Sequence, residues 1–399
     1  QLEQRLISPD VAAGNDRFGY RVSVSGDRLL VSARFDDDLG DNSGSAYLFD
    51  RSAGSWSFQQ KLNASDGVAG DQFGLSVRVS GDWAFVGSSR ESVYVFQLAD
   101  GTWSEEEILQ ANDAQAGRGF GRDMAVSGDT LIVGASNDNE VATRAGAGYV
   151  FTRSVNNWVQ QEKLTASDGM AGDFLGQSVS ISSDTIILGA PNGCVEGSDA
   201  VFVSCVDRDL FAGNKAYVFV WDGSSWVEEA KLVPSTGDIG DHFGVVAVFG
   251  DTAVIGADAD DDEGLDAGAA YLFNRDGGAW TEVAKFYASD AQPTEWFGAR
   301  VAMDGDSALI AAPIAFAFDG RPGSTYVFNL NSGETPAGSD VTVEPVTVNE
   351  AGDPVEDAPY IDLAFDEVLA GGETTIVATE SPPPGQELPD GFKLTGLSG

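Results

Sequence analysis

The sequence predicts an all-β chain: a six-bladed β-propeller closed by its own N-terminal strand, followed by a small β-sandwich-like module. Three observations predict it. A Phe-Gly phrase recurs six times, at Phe18-Gly19, Phe73-Gly74, Phe120-Gly121, Leu175-Gly176, Phe243-Gly244 and Phe297-Gly298, spaced 55, 47, 55, 68 and 54 residues apart. Each copy is followed by the same order of short apolar runs. The N-terminal segment matches the one run that the last copy lacks. Units of about 50 residues cannot bury an apolar face alone and must stack on neighbours, as propeller blades do.

The first strand of each unit alternates, as in Val22 and Val24, and ends in a two-residue turn. Gly26-Asp27 forms that turn in the first unit, with Gly81-Asp82, Gly128-Asp129, Gly250-Asp251 and Gly305-Asp306 as copies and Ser183-Asp184 as the variant. Glycine supplies the positive φ that a tight hairpin needs. The second strand is nearly all apolar (Leu29 to Ala33, Ala84 to Gly87, Leu131 to Ala135, Ile186 to Ala190, Ala253 to Ala257, Ala308 to Ala312), which suits a strand covered on both faces. A variable loop leads to a third strand marked by Tyr47, Tyr94, Tyr149, Tyr217, Tyr271 and Tyr326, each two residues before a Phe. A turn then carries Trp56, Trp103, Trp158, Trp226 or Trp280, whose fixed place in the unit points to packing, and a more polar outer strand follows.

The sixth unit ends near Asn329 without a Trp turn or fourth strand. Leu2-Glu3-Gln4-Arg5-Leu6 matches the outer-strand pattern of Gln59-Gln60-Lys61-Leu62. It is therefore expected to complete the last blade and close the ring, which protects the sheet edges. The propeller then spans residues 1–330, a Gly, Ser and Pro containing linker 331–340, and a small β module 341–399. Expected strands of that module are Val341 to Val343, Val346 to Val348, Tyr360 to Phe365 and Thr374 to Ala378. About 60 residues is marginal for an independent domain, and the module reads as a truncated immunoglobulin-like fold, part of a longer protein, or a borrower of a neighbour's strand.

Over residues 1–330 the chain resembles the FG-GAP repeat proteins, which include the integrin α-chain head and bacterial surface proteins. The six Phe-Gly copies carry the first half of that signature. Gly189-Ala190-Pro191 carries the second, with Gly134-Ala135-Ser136, Gly256-Ala257-Asp258 and Ala311-Ala312-Pro313 close to it. The resemblance implies an extracellular binding or adhesion role. It is imperfect: integrin heads have seven blades and hold calcium in a loop before the second strand, where this chain has only a Gly-Asp turn with no room for a metal.

The chain has 22 Lys and Arg against 63 Asp and Glu, a net charge of −41. Such a charge repels phosphate backbones and anionic lipid, so no nucleic-acid or membrane-surface partner is expected. No run approaches the length of a membrane helix. The start at Gln1 fits a secretory leader removed by processing. Cys194 and Cys205 both fall in the long loop of the fourth unit, and are expected to form a local disulfide, a bond that persists outside the cytosol; two free thiols are the alternative.

The strongest local chemistry is in the loops between second and third strands. Asp258, Asp260, Asp262 and Asp266 stand at positions 1, 3, 5 and 9 of an acidic loop, a spacing that can wrap a calcium ion, while a solvated acidic loop is the plainer reading. Asp36, Asp38 and Asp41 form a poorer set, since Arg34 takes the first position. His242 is the only histidine and sits in a slot filled elsewhere by Arg17, Gln72, Gly119, Phe174 and Trp296, so no catalytic triad is expected. The leading expectation is a noncatalytic module presenting loops 34–45, 136–147, 191–214 and 258–268 to a protein or glycan. The alternatives are a self-associating surface protein assembled with calcium, and a propeller enzyme acting on polysaccharide.

Overall fold

The structure, a computed structural model, describes residues 4–10, 16–155, 157–191, 214–237, 240–313, 323–330 and the strand 363–365. Cys194, Cys205 and most of the expected C-terminal module lie outside the described residues. Blade 1 comprises β1 (Phe18–Ser25), β2 (Arg28–Ala33), β3 (Ser45–Ser52) and β4 (Ser55–Leu62). Blade 2 has β5 (Ser76–Ser80), β6 (Trp83–Gly87), β7 (Val93–Ala99) and β8 (Thr102–Leu109). Blade 3 has β9 (Phe120–Ser127), β10 (Thr130–Ala135), β11 (Ala147–Ser154) and β12 (Asn157–Leu164). Blade 4 has β13 (Ser178–Ser182), β14 (Thr185–Ala190), β15 (Lys215–Trp221) and β16 (Trp226–Leu232). Blade 5 has β17 (Phe243–Phe249), β18 (Thr252–Ala257), β19 (Ala269–Asp276) and β20 (Ala279–Phe286). Blade 6 has β21 (Arg300–Asp304), β22 (Ser307–Ala312) and β23 (Ser324–Asn329). The last strand, β24 (Leu363–Phe365), runs parallel to β1.

Every blade is an antiparallel meander with consecutive strands adjacent. The turns joining first to second and third to fourth strands therefore lie on one face of the disc. The loops joining second to third strands, and the connections between blades, lie on the other. The expected turns form as read: Gly26, Gly81, Gly128, Gly250 and Gly305 have φ between +53° and +57°, and Ser183 takes the same place at +49°. The second strands β10, β14 and β18 are buried along almost their whole length.

The core lies between blades rather than within them. One cluster joins Phe85 and Val95 of blade 2 to Met124 and Tyr149 of blade 3, and another joins Leu48 and Leu62 of blade 1 to Tyr94 and Phe96 of blade 2. In each blade except the fourth the signature Phe stacks edge-on against the third-strand Tyr, at 5.2–5.5 Å between ring centres. Trp103, Trp158 and Trp226 are buried, and Trp158 packs edge-on against Phe85 of the preceding blade at 5.0 Å, consistent with a packing role.

The glycine of the second-strand signature exists because the next blade comes so close. A Cβ at Gly189 would overlap the carbonyl oxygen of Gly244, and one at Gly256 that of Gly298. Close approach of two backbones is what glycine permits and no other residue does.

The inner strands are not paired to one another across the channel. Serines of one blade instead accept N–H groups of the next: Ser23 Oγ from Val79 at 3.0 Å, Ser178 Oγ from Val246 at 3.1 Å and Ser180 Oγ from Val248 at 3.1 Å. These bonds satisfy edge donors that would otherwise invite another strand.

Closure differs from expectation in form. Among the described residues blade 6 has three strands, and residues 4–8 are not a strand. Their side chains nonetheless meet blade 1 as an outer strand would. Gln4 clasps the backbone of Trp56 through both amide atoms, at 2.9 and 2.7 Å, as Gln60 clasps Trp103 at 2.7 and 3.0 Å. Leu6 joins the blade 1 cluster as Leu62 joins that of blade 2. Residues 4–6 thus meet blade 1 through side chains, without ladder pairing among the described residues, while β24 lies against both β1 of blade 1 and β21 of blade 6.

Candidate functional site

The loop face carries a recurring network that ties each blade to the one before it. The third-strand tyrosine donates its hydroxyl to a residue of the connection entering its blade. Tyr94 bonds Asp66 at 2.8 Å, Tyr149 bonds Asp113 at 2.9 Å, Tyr217 bonds Asp168 at 2.6 Å and Tyr326 bonds Asp290 at 2.6 Å. Tyr47 reaches Asp10 at 3.0 Å, and Tyr271 reaches the Thr236 carbonyl at 2.5 Å. Burial and neighbouring carboxylates push all six phenols above their ordinary range.

On this network blades 1, 3 and 5 add a second feature that blade 2 lacks; the corresponding loops of blades 4 and 6 lie outside the described residues. In the loop after the second strand, Asp36, Asp138 and Asp260 turn inward and are almost fully buried. Each accepts the tyrosine hydroxyl, at 2.8, 3.2 and 2.9 Å. Each also meets an ammonium from the outer strand: Lys61 at 2.9 Å, Lys163 at 3.1 Å and Lys285 at 2.7 Å. The same ammonium bonds the loop carboxylate two residues on, Asp38 at 2.5 Å, Glu140 at 2.7 Å and Asp262 at 2.7 Å. Lys61 and Lys163 take a third carboxylate, Asp10 at 2.5 Å and Asp113 at 2.6 Å. Burial works against the charge of these lysines, but the surrounding carboxylates outweigh it and raise their pKa. Burial likewise opposes ionisation of Asp10, yet Lys61, Ser8 and Tyr47 hold it down to about 2.

The residues between these anchors close the loop on itself. Asp37, Asn139 and Asp261 accept the N–H of Asn42, Arg144 and Asp266, at 2.7, 2.6 and 2.6 Å. Those three residues have positive φ of 54°, 54° and 49°. Each loop then hydrogen-bonds onto the following even blade, with Phe73 N–H on Ser43 carbonyl at 2.9 Å, Leu175 on Ala145 at 2.9 Å and Phe297 on Ala267 at 3.0 Å.

The residues singled out for calcium are only partly gathered. Asp260 and Asp262 come together on Lys285, while Asp258 turns to His242 at 3.2 Å and Asp266 contributes its backbone N–H to the loop turn. In blade 1, Asp36 and Asp38 come together with Asp10, which sequence spacing did not suggest, and the side chain of Asp41 accepts from Asn42 at 3.1 Å. Asp10, Asp36 and Asp38 could converge on a cation, but the Lys61 ammonium is already within 2.9 Å of all three. A calcium ion at any of the three loops would have to displace an ammonium, so the donor set does not fit it while the lysines are in place. His242 has φ of 59°, like Arg17, Gln72, Phe174 and Trp296 in the same slot, and its bond to Asp258 raises its pKa.

The lysines were missed by reading one unit at a time. Asp36, Asp138 and Asp260, and likewise Lys61, Lys163 and Lys285, are separated by 102 and then 122 residues. That doubled period was the available signal.

Comparison with known proteins agrees with this architecture. The FG-GAP repeat family profile matches residues 1–49, 56–96, 103–151, 158–204, 226–273 and 280–328; the second, third, fifth and sixth matches run from the outer strand of one blade into the third strand of the next, and the fourth starts in the outer strand of blade 3 and ends before the third strand of blade 4. No curated protein sequence matches the chain. Among solved structures, that of Saccharomyces cerevisiae Sqt1 is similar at 11% identity and a TM-score of 0.42, over 81% of this chain and 85% of that one. On the six family matches and the six blades they trace, the chain belongs to the FG-GAP repeat family.

Proposed function

We propose that this chain is a noncatalytic extracellular binding or adhesion module whose recognition surface is the loop face, and that its ligand is a protein or a glycan. The observation carrying the reading is the threefold repetition of one preorganised loop. Loops 34–44, 136–146 and 258–268 share the same internal bonds, the same lysine anchor and the same seat on the following blade. Each presents an exposed apolar side chain, Leu39, Val141 or Leu265, at its tip. In the first two loops that side chain lies against the following blade's connection, next to exposed Val68 and Met170. Apolar tips among carboxylates, on a backbone that loses little freedom on binding, suit recognition by contact.

In this reading the loops draw their rigidity from lysine rather than from a divalent ion, and the acidic rim disfavours polyanions. The test is a binding screen of immobilised neutral and cationic glycans and matrix proteins, using the wild type and the Leu39→Asp/Val141→Asp/Leu265→Asp variant. The reading expects at least one ligand whose binding the variant loses while its melting temperature is unchanged. Binding that the variant keeps, or turnover of a polysaccharide by the wild type, would overturn it.

A further inference from the structure

The channel wall is charged in a way the rest of the molecule does not foreshadow. In a chain of net charge −41, three arginines stand on the inner strands of three consecutive blades: Arg300 on β21, Arg21 on β1 and Arg78 on β5. Arg21 and Arg300 occupy the same register, three residues after the signature Phe, and Arg78 lies two residues further along. Arg78 is 8% exposed and borders a cavity of about 70 Å³ walled by the inner strands of blades 2 to 6. Arg78 Nη2 lies 3.2 Å from Asp123 Oδ1, whose other oxygen accepts the Val179 N–H at 2.9 Å. Burial first, then Arg300 and Arg78, push the Arg21 guanidinium down to about 10, with Tyr20 and Asp123 opposing, so the cations lie close enough to feel one another.

The same wall holds an extended segment. Val22, Ser23 and Val24 of β1 pair in parallel with Leu363, Ala364 and Phe365, and β24 also lies against β21. Where Ser23 and Ser180 cap the next blade's inner edge, blade 6 has Ala302, which cannot accept a hydrogen bond, and the main chain of β24 runs along β1 instead. Ala125 and Ala247 replace the serine at two other junctions, so the arginines are what set this one apart. In sequence, Asp362 precedes β24, and Asp366 and Glu367 follow it.

We propose that the channel wall of blades 6, 1 and 2 is a docking site for an extended acidic segment, and that its occupant is the chain's own stretch from Asp362 to Glu367. Pairing with β1 supplies main-chain hydrogen bonds without regard to sequence, and the arginines select carboxylates beside the strand. The C-terminal stretch is then a tethered ligand of the propeller.

The test uses the full chain with Val24→Cys and Phe365→Cys. Paired neighbours in a sheet lie about 5 Å apart, within reach of a disulfide. Mild oxidation is expected to give an intramolecular cross-link, located by peptide mapping, and none in a Val24→Cys/Ile376→Cys control. Replacing Arg21, Arg78 and Arg300 by Gln should slow cross-linking by about tenfold, as expected for losing roughly one charge-assisted contact. The replacement Asp362→Lys/Asp366→Lys/Glu367→Lys, which leaves the propeller sequence untouched, should do the same. Equal cross-linking in the control, cross-links only between copies, no cross-link, or rates indifferent to both charge changes would overturn the proposal.

Discussion

Odd and even blades share a backbone and a tyrosine network but bury their acidic groups differently. Blades 1, 3 and 5 bury a carboxylate in the loop after the second strand and answer it with an outer-strand lysine. Blades 2 and 4 bury one just before the signature Phe or Leu, as blade 5 also does at Asp241: Asp71 lies 3.4 Å from Arg90, and Asp173 lies 2.9 Å from Lys215. Blade 6 has Glu295 in that place, accepting the Gln292 N–H at 3.1 Å as Asp71 accepts that of Val68 at 2.8 Å. The turn face alternates too, with Arg51, Arg153 and Arg275 paired to Asp27, Asp129 and Asp251 on odd blades. Leu98, Trp221 and Leu330 stand in that place on even ones. Among the described residues the three odd blades therefore share one loop, and the blade that follows each of them supports it.

The comparison can be broken most sharply in blade 4. Lys215 and Asp173 are both almost fully buried, so Lys215→Met should cost about 3–5 kcal/mol in chemical denaturation by leaving a carboxylate alone. The double variant with Asp173→Asn should recover part of it. Lys163→Met in blade 3 should cost less, about 1–3 kcal/mol, because Tyr149 still donates to Asp138 and solvent reaches the other carboxylates. Equal losses would erase the distinction between the two kinds of blade. Gly189→Ala should cost about 1–3 kcal/mol by forcing blades 4 and 5 apart, whereas Gly54→Ala meets no atom and strains only its own backbone at φ +79°.

Titration sharpens what the blades share. Asp10 and Asp168, at an odd and an even entry, are both held down to about 2, Asp168 chiefly by Lys231 and then Tyr217. Their contribution to stability is complete above the unfolded value of 3.8 and is lost as pH falls toward 2, so acid unfolding should steepen in that window. The six network tyrosines are raised, so they favour the fold until pH climbs past the unfolded value of 10.0. Ultraviolet titration should find them silent until the alkaline transition itself. The smallest expected effect is at the turn face: Arg153→Ala should cost under about 1 kcal/mol, since Asp129 is largely exposed.

The fold was legible because its signals are local and repeated. Phe-Gly, Gly-Asp and Tyr-x-Phe each act within one blade, and six copies remove ambiguity. The lysine anchors were not, because Lys61 sits on the outer strand and Asp36 in the loop after the second strand, and the match between copies appears only at the doubled period. Asp258 and Asp266 misled because reading every other residue assumes a loop wrapped around one centre. Asp261 instead caps the backbone of Asp266 and splits the set. The role of Gly189 was hidden until Gly244 of the next blade was seen against it.

An ammonium, supplied three times, does for these loops what a metal could do. This is tested most directly by measuring denaturant stability of the wild type and of Lys61→Met, Lys163→Met and Lys285→Met, each in chelator and in millimolar calcium. Similar losses are expected in all three variants, with a wild type indifferent to calcium. A wild type stabilised by calcium, which a ligand binding only the folded state would cause, or variants as stable as the parent, would contradict it.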